Sequence, residues 1–202
     1  MPIMKAKVKR SRALSVPLTD KAARYMRRRP YAPGQHGRAR PRPKSDYGVR
    51  LREKQRLRAQ YNLSESQLRR AVGRAVRSLG KTGEALMTEL ETRLDAVVLR
   101  AGFARTIYQA RQMVSHGHVT VDAKKADKPS YRLRPGQTVE IAERSKDLPP
   151  FAAAATGEHA AAVPSYLDVD TTALRARLTR LPNRTEIPVI ADERLIVEFY
   201  AR

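Results

Sequence analysis

The distribution of positive charge along the chain is the feature that most constrains its fold. Residues 1–60 contain 19 Lys and Arg against 3 Asp and Glu, whereas residues 61–202 contain 22 against 17. Charge of one sign concentrated in this way opposes compaction unless a polyanion neutralises it. The same segment is rich in proline and glycine, which disfavour regular structure. We therefore predict that residues 1–44 form a basic extended arm that becomes ordered on its partner.

The size of the net charge indicates that the binding partner is a polyanion. The formal net charge is +21 and the sequence pI is about 11.0, so nucleic acid and an anionic membrane are the two candidates. No stretch of the sequence approaches the roughly 18 consecutive apolar residues of a membrane-spanning helix. Nucleic acid is therefore the predicted partner.

The cysteine content limits the chemistry of any site. The sequence contains no cysteine, which excludes disulfides, thiolate zinc sites and a cysteine nucleophile and fits a reducing, cytoplasmic compartment. Hydrophobic residues make up 41% of the chain and aromatic residues only 5%. We therefore expect an aliphatic core divided among small domains.

Hydrophobic periodicity predicts three helices after the basic segment. The first covers residues 46–58, and the second follows the capping-box spacing of Ser64 and Gln67 and ends at Gly80. Its inward positions are Leu68, Ala71, Val72, Ala75, Val76 and Leu79. The third ends near Gly102, and its inward positions are Leu86, Met87, Leu90, Leu94, Val97 and Val98.

Two rows of cations lie along the first of these helices. They consist of Arg50, Lys54 and Arg58, and of Arg52 and Arg56. Because Glu53 is the acidic residue nearby in sequence, most of these charges are expected to lack an intrahelical partner. The rows are predicted to bind phosphates, and a solvated face is the alternative.

The segment from Thr106 onward predicts a small mixed module. Thr106 has the spacing of a helix cap and Gly117 that of a helix stop. Alternation then predicts a strand at 119–121, a turn at 122–125 and a strand at 138–141. The expected module is a helix-turn-helix followed by a small antiparallel sheet.

The C-terminal part is expected to pack against the rest of the chain. Residues 149–164 are rich in alanine and proline and predict a surface loop. Alternation at 174–178 predicts a strand, and Asp192 precedes apolar residues at helical spacing up to Tyr200.

These elements predict an α+β fold in four parts. Residues 1–44 form the arm, and 45–92 together with 165–202 form a mostly helical main domain to which the C-terminal strand and helix return. Residues 93–148 form an inserted small RNA-binding domain, and 149–164 form the Ala/Pro-rich loop.

Several motifs resemble the bacterial small-subunit ribosomal protein four family, and the similarity runs from about residue 28 to the end. The middle of the chain is similar to the small RNA-binding domain named after that family. The motifs are Arg28–Gly37 (RRPYAPGQHG), Tyr47–Gln55 (YGVRLREKQ), Glu91–Val98 (ETRLDAVV), Ala110–Val121 (ARQMVSHGHVTV), Pro129–Arg132 (PSYR) and Ile196–Tyr200 (IVEFY).

The resemblance implies a structural constituent of the small ribosomal subunit. It implies direct binding to small-subunit ribosomal RNA that nucleates assembly of the subunit body. It also implies contact with small-subunit protein five and an influence on decoding accuracy, with messenger RNA as a further partner in some relatives. The protein would act as a monomer within the ribosome, with no membrane partner, no cofactor and no enzymatic activity.

Three departures from the family pattern change these expectations. Many relatives carry N-terminal cysteines that hold zinc, and because this chain has none, its arm is expected to be ordered by RNA alone. Relatives often have Asn-Gly where this chain has Asp122-Ala123, and a basic residue where it has Ile107. These last two departures leave undecided whether the hairpin turn forms at 122–123 and whether position 107 contacts a phosphate.

The predicted RNA-binding residues share a basic, polar or aromatic side chain in or next to one of these motifs or predicted elements. They are Arg27, Arg28, Arg29, Tyr31, Gln35, His36, Arg50, Arg52, Lys54, Arg56, Arg58, Arg69, Arg70, Arg74, Arg93, Arg105, Arg111, His116, His118, Lys124, Lys125, Ser130, Tyr131 and Arg132.

Some of these residues have an alternative structural role. Arg93 and Asp95 could form an ion pair at a helix end instead of contacting RNA. His116 and His118 lack further ligands at metal spacing, so a helix stop is favoured over a metal site. Tyr131 is the best candidate for stacking on a base, with packing as its alternative.

Two other classes of protein are alternatives to a ribosomal protein. Pseudouridine synthases can begin with the same small domain and contain an Arg-Leu-Asp element with a catalytic aspartate. Here Arg93-Leu94-Asp95 stands at the start of the small domain and not after it, and too few residues follow the small domain for a catalytic domain. A nonspecific DNA binder would bind any duplex equally, whereas the ribosomal interpretation predicts preference for a folded RNA junction.

Overall fold

A computed structural model describes residues 6–39, 43, 45–159 and 163–201, and these separate into two compact units. Unit 1 comprises residues 1–77 and 189–202, and unit 2 comprises residues 78–188. Parts of the predicted arm (1–5, 40–42 and 44) and of the predicted loop (160–162) lie outside the described residues.

The regular elements in the described part of unit 1 are helices. They are α1 (Lys7–Leu14), α2 (Asp20–Arg28), α3 (Asp46–Gln60), α4 (Glu65–Arg77) and, from the end of the chain, α9 (Glu193–Tyr200). At the start of three of these helices, a side chain accepts a hydrogen bond from a backbone N–H group. These side chains are Thr19 for α2, Ser45 for α3 and Asp192 for α9. Helix α9 packs against α3 and α4, and α1 packs against α2 and α3.

The prediction of an extended arm is wrong for two stretches of residues 1–44. Helices α1 and α2 occupy them, and Leu14, Val16 and Ala22 are buried. Composition concealed these helices because their few apolar residues are scattered among cations. Burial of those few residues is enough to hold a helix against a partner.

Helix α4 is shorter than its periodicity predicts. It ends at Arg77, and Gly80 has the positive φ of 94° expected of a glycine at a chain reversal. Leu68, Ala71 and Val72 are buried as predicted, but Val76 and Leu79 are exposed, the latter completely. The hydrophobic stripe therefore covers only the first three turns.

Unit 2 begins with three short helices, α5 (Thr82–Glu91), α6 (Leu94–Arg100) and α7 (Ile107–Ser115). The single helix predicted between Gly83 and Gly102 is broken at Arg93, whose ψ of 143° is extended. Arg93 forms an isolated antiparallel bridge with Arg132. The Leu94 N–H donates to the Tyr131 carbonyl at 2.8 Å, whereas in a continuous helix it would donate to the carbonyl four residues earlier. Helix α7 lies between Thr106 and Gly117 as predicted.

A five-stranded antiparallel sheet with the order β2-β1-β3-β5-β4 completes unit 2. Its strands are β1 (Val119–Val121), β2 (Lys124–Lys125), β3 (Thr138–Ile141), β4 (Leu167–Asp170) and β5 (Arg175–Leu178). Its buried face joins the helices in a core that includes Leu94, Val98, Phe103, Val114 and Ile141. The α+β class is confirmed.

The turn between β1 and β2 forms without glycine. Asp122 and Ala123 have φ values of 48° and 63°, the left-handed pair that a two-residue hairpin turn requires. Alanine is strained there, since a Cβ in this region costs roughly 1–2 kcal/mol.

The structure moves the C-terminal boundary of the small domain. Strand β5, expected in the helical main domain, pairs with β3, with Val139 opposite Ala176. Only helix α9 returns to unit 1. The alternating hydrophobic pattern of β5 fits a strand that pairs with the sheet of unit 2. The described part of unit 1 contains no strand with which β5 could pair.

The predicted Ala/Pro-rich loop contains a further helix. Helix α8 (Pro149–Ala155) buries Phe151 and Ala154 in the core of unit 2. Proline is compatible with the first turn of a helix, where its missing N–H is not needed. Among the described residues, no helix is both long and apolar enough to cross a membrane.

Candidate nucleic-acid interface

The first predicted phosphate-binding row of α3 is paired with carboxylates of unit 1. Arg50 Nε lies 2.8 Å from a Glu198 oxygen, and Lys54 Nζ and Arg58 Nη1 lie 3.1 and 2.9 Å from the two oxygens of Glu65. None of these carboxylates lies in α3, so the row lacks intrahelical partners as expected, but its charges are paired with other helices, which the sequence pattern did not indicate.

Glu65 is the centre of this network. The Tyr200 hydroxyl donates to it at 2.8 Å, and Lys54, 7% exposed, also lies 4.2 Å from the ring centre of Phe199. Burial works against ionisation of Glu65, but hydrogen bonds from Tyr200, Lys54 and Arg58 together hold its pKa below the ordinary value. Burial, with the nearby Glu65, raises the pKa of Tyr200. The row therefore stabilises the unit.

The second row of α3 contacts the C-terminal end of α1. Arg52 donates to the Ser15 hydroxyl at 2.7 Å, and Arg56 donates to the Leu14 carbonyl at 2.8 Å and to Glu53 at 2.7 Å. These contacts attach the end of α1 to α3. Most of the cations of α3 therefore have partners within the protein.

Arg93 has the structural role that the sequence left open. Its guanidinium donates two hydrogen bonds to Asp95, at 2.9 and 2.7 Å, and both side chains are buried. Arg111 of α7 approaches the same carboxylate at 3.8 Å. Asp95, the catalytic residue required by the enzyme alternative, is thus fully buried in an ion pair and has no access to a substrate.

Exposed cations of unit 1 are concentrated on α2 and α4. On α2, a groove is lined by Lys21, Arg24, Tyr25, Arg27 and Arg28. Arg29, at the end of the helix, is exposed, and so are the predicted residues Arg69, Arg70 and Arg74 of α4. Lys21 and Arg24 are not among the predicted residues because the composition of this segment predicts no helix. Their spacing of three with Arg27 is the signal that would have indicated a common face.

A loop after α2 is built around Tyr31. The guanidinium carbons of Arg12 and Arg38 each lie 4.9 Å from its ring centre, and Arg12 Nη2 donates to the Tyr31 carbonyl at 2.9 Å. A hydrogen bond from Arg38 lowers the pKa of the Tyr31 hydroxyl. The predicted residues Gln35 and His36 are exposed on this loop. The loop therefore has partners within the protein itself, and its ordering on RNA stays a prediction.

A glycine is required inside this loop. A Cβ on Gly37 would lie 1.9 Å from the Ala32 carbonyl oxygen, closer than any side chain tolerates. The Gly37 N–H donates to the Gly34 carbonyl at 3.2 Å, which closes the turn.

The predicted residues of unit 2 other than Arg93 lie in or next to α7, on the β1–β2 hairpin and in the segment before β3. The exposed ones are Arg105, His116, Lys124, Lys125, Ser130, Tyr131 and Arg132. Arg132 is also paired with Glu89 at 2.7 Å. His118 is half-buried against Phe151 and lies 2.9 Å from the Ser145 hydroxyl, and burial lowers its pKa. No group of three His, Cys, Asp or Glu suited to a metal occurs within the described ranges.

The chain is similar to known proteins over nearly its whole length. The family described as ribosomal protein S4/S9 N-terminal domain matches residues 3–91, and that described as S4 domain matches residues 92–139. A small ribosomal subunit protein uS4 from Beutenbergia cavernae is 60% identical over 198 residues, covering 96% of this chain and 95% of that protein. Proteins of the same name from Paenarthrobacter aurescens and Streptomyces avermitilis are each 60% identical, covering 95% and 97% of this chain and 94% and 97% of their own.

Proposed function

The chain belongs to the ribosomal protein S4 family, and from that membership we propose that it is an RNA-binding structural constituent of the small ribosomal subunit. The family is structural and not enzymatic, so the pseudouridine synthase alternative is set aside. The protein acts in the cytoplasm, within the subunit. Its ligand is small-subunit ribosomal RNA, and its binding contributes to assembly of the subunit body.

One observation carries the choice of interface within the chain. Arg93 and every cation of the two α3 rows except Arg52 are paired with carboxylates, whereas the cations of α2 and of the β1–β2 hairpin are exposed. Only a cation that is not already neutralised gains fully from a phosphate, because each such contact releases counterions from the RNA. We therefore assign the main phosphate contacts of unit 1 to Lys21, Arg24, Arg27 and Arg28 and those of unit 2 to Lys124 and Lys125.

The experiment compares folded small-subunit ribosomal RNA fragments with a duplex of equal length at several salt concentrations. The wild-type protein should prefer one folded fragment, because recognition of A-form RNA depends on shape, phosphate and 2′-hydroxyl contacts. Equal affinity for the fragment and the duplex at every salt concentration would overturn the proposal in favour of a nonspecific binder.

A pair of charge-matched variants tests the assignment of residues. Replacing Lys21, Arg24, Arg27 and Arg28 by Gln should reduce the slope of log affinity against log salt by about one unit per lost contact. The control replaces Lys81, Lys146, Arg175 and Arg180, each of which is paired with a glutamate. Equal slopes for the two variants would show that overall charge, and not the face of α2, sets the affinity.

The family resemblance also supports a finer proposal, that the protein contacts small-subunit protein five and influences decoding accuracy. Reconstituted subunits containing this protein should give cross-links to protein five, and variants that weaken the contact should alter the reading of near-cognate codons. Normal accuracy in a variant that has lost the cross-links would contradict this part alone.

A further inference from the structure

A groove beside the hairpin of unit 2 joins an aromatic ring, a fixed carboxylate and several lysines. It has a volume of about 440 Å³ and is lined by Asp122, Tyr131 and Gln137 among others. Its charged residues are three lysines, Lys124, Lys125 and Lys128, and two aspartates, Asp122 and Asp127. The groove therefore keeps a net positive charge while offering a carboxylate.

The carboxylate of Asp122 is held in place. Its Oδ1 accepts the Thr138 N–H at 2.9 Å, and its Oδ2 accepts the Gln137 amide at 2.7 Å. The backbone bond from Thr138 and the Gln137 bond lower the pKa of Asp122, so the group is ionised at neutral pH. Each carboxylate oxygen has two acceptor positions, so both can accept a further hydrogen bond from a ligand.

Tyr131 and Lys125 are positioned at the same groove. The side chain of Tyr131 is 40% exposed, and its hydroxyl accepts from the same Gln137 nitrogen at 3.4 Å, which places it at the end of the groove where Asp122 lies. A Cβ on Gly117 would lie 2.4 Å from Lys125 Cε, so the lysine stem crosses directly over the glycine. An exposed ring of this kind can stack on a base, and lysines beside it can hold the adjoining phosphates.

The carboxylate discriminates between bases. The Watson–Crick edge of an unpaired guanine carries two adjacent donors, N1–H and the N2 amino group, which match the two oxygens of an ionised carboxylate. The other three bases place an acceptor beside their donor, which a carboxylate repels. Resting on the proposed RNA-binding function, we propose that Asp122, Tyr131 and the hairpin lysines form a subsite for one unpaired guanine nucleotide of the RNA.

The test uses the full chain and five-nucleotide RNAs that differ in the central base. UUGUU, UUAUU and the inosine-containing UUIUU are titrated by NMR, which also reports the Thr138 amide and hence the integrity of the hairpin. Wild-type protein should bind UUGUU about tenfold more tightly than UUAUU, as expected for a two-bond base contact. It should bind the inosine probe less tightly than UUGUU, because inosine lacks the N2 amino group.

Two variants and a control separate the contributions. Asp122→Asn keeps an oxygen for the Thr138 N–H but removes the charge, so the guanine preference should fall close to one. Tyr131→Leu should weaken binding of all three probes alike. Asp170→Asn is the control, since Asp170 is an exposed carboxylate that accepts backbone bonds in the β4–β5 turn and should leave the preference unchanged.

Equal wild-type affinities for the three probes would overturn the subsite, as would an unchanged guanine preference in Asp122→Asn with an intact Thr138 signal. If Asp122→Asn disturbs the hairpin, the wild-type comparison of guanine with inosine decides instead. The folded ribosomal RNA fragment is titrated in parallel. If the protein binds that fragment but shows no guanine preference, the subsite alone is rejected. If it shows neither binding of the fragment nor a guanine preference, the proposed function is rejected as well.

Discussion

At the scale of single residues, the buried charges are the positions where one substitution has the largest consequence. Asp95 is completely buried and carries two hydrogen bonds from Arg93, while Lys81 and Glu84 form an ion pair in water. A buried charge whose partner is removed stays unpaired in a medium of low polarity, whereas an exposed one is rehydrated.

Replacing Asp95 by Asn should therefore lower the free energy of unfolding by about 3 kcal/mol, because Arg93 is left buried without its counter-charge. Glu84→Gln should change it by less than about 0.5 kcal/mol. Urea unfolding followed by circular dichroism measures both. A loss as small as that of the control would mean that solvent reaches Arg93.

Glu65 makes stability depend on pH in the acid range. Because its pKa is lowered in the folded state, its contribution is fully present above the ordinary value of 4.5 and is lost as pH falls through the folded pKa. In Glu65→Gln that contribution is absent at every pH, so the fall in unfolding free energy between about pH 5 and pH 3 should be shallower than in wild type. Urea unfolding at a series of pH values tests this, with Glu84→Gln as control. Parallel curves for wild type and Glu65→Gln would contradict it.

At the scale of elements, signals within a short window were predictable and pairings between distant segments were not. Helix α7 was predictable because its cap, stripe and stop lie within twelve residues, from Thr106 to Gly117. The break at Arg93 was not, since it depends on a bridge to Arg132. The pairing of Arg50 was not either, because Glu198 lies far along the chain. The sequence therefore indicates candidate RNA-binding residues by their type, but it does not indicate whether their charges are already paired within the fold.

Two glycines give opposite predictions for a change to alanine. In Gly37→Ala the new Cβ collides with the Ala32 carbonyl, so the loop around Tyr31 should open and hydrogen exchange at the amide of Ala39 should accelerate. Gly73→Ala adds a Cβ with nothing within 4 Å in the middle of α4, and it should raise stability by up to about 1 kcal/mol. Unchanged exchange in Gly37→Ala would show that the loop tolerates a different turn.

At the scale of the whole molecule, salt should act on folding and on binding with opposite signs. A net charge of +21 repels itself in the free protein, so added salt should stabilise the fold. The same salt weakens RNA binding by reducing the gain from counterion release.

Raising sodium chloride from low to physiological concentration should raise the midpoint of thermal unfolding by roughly 2–4 °C, which corresponds to about 1 kcal/mol for a chain of this size. Affinity for the folded RNA fragment should fall over the same range. Sodium fluoride serves as a control for specific chloride binding. A midpoint that falls with salt would indicate that the ion pairs of the fold outweigh the overall repulsion.

The return of helix α9 to unit 1 has a consequence for the order in which the protein can form during its own synthesis. Residues 78–188 are continuous, whereas the contacts of α3 and α4 with α9 form only after the last residues of the chain have left the ribosome's exit tunnel. Until Glu198 and Phe199 emerge, Arg50 lacks its carboxylate and Lys54 its ring. The most basic part of the nascent chain therefore stays incompletely neutralised longest, although it is made first.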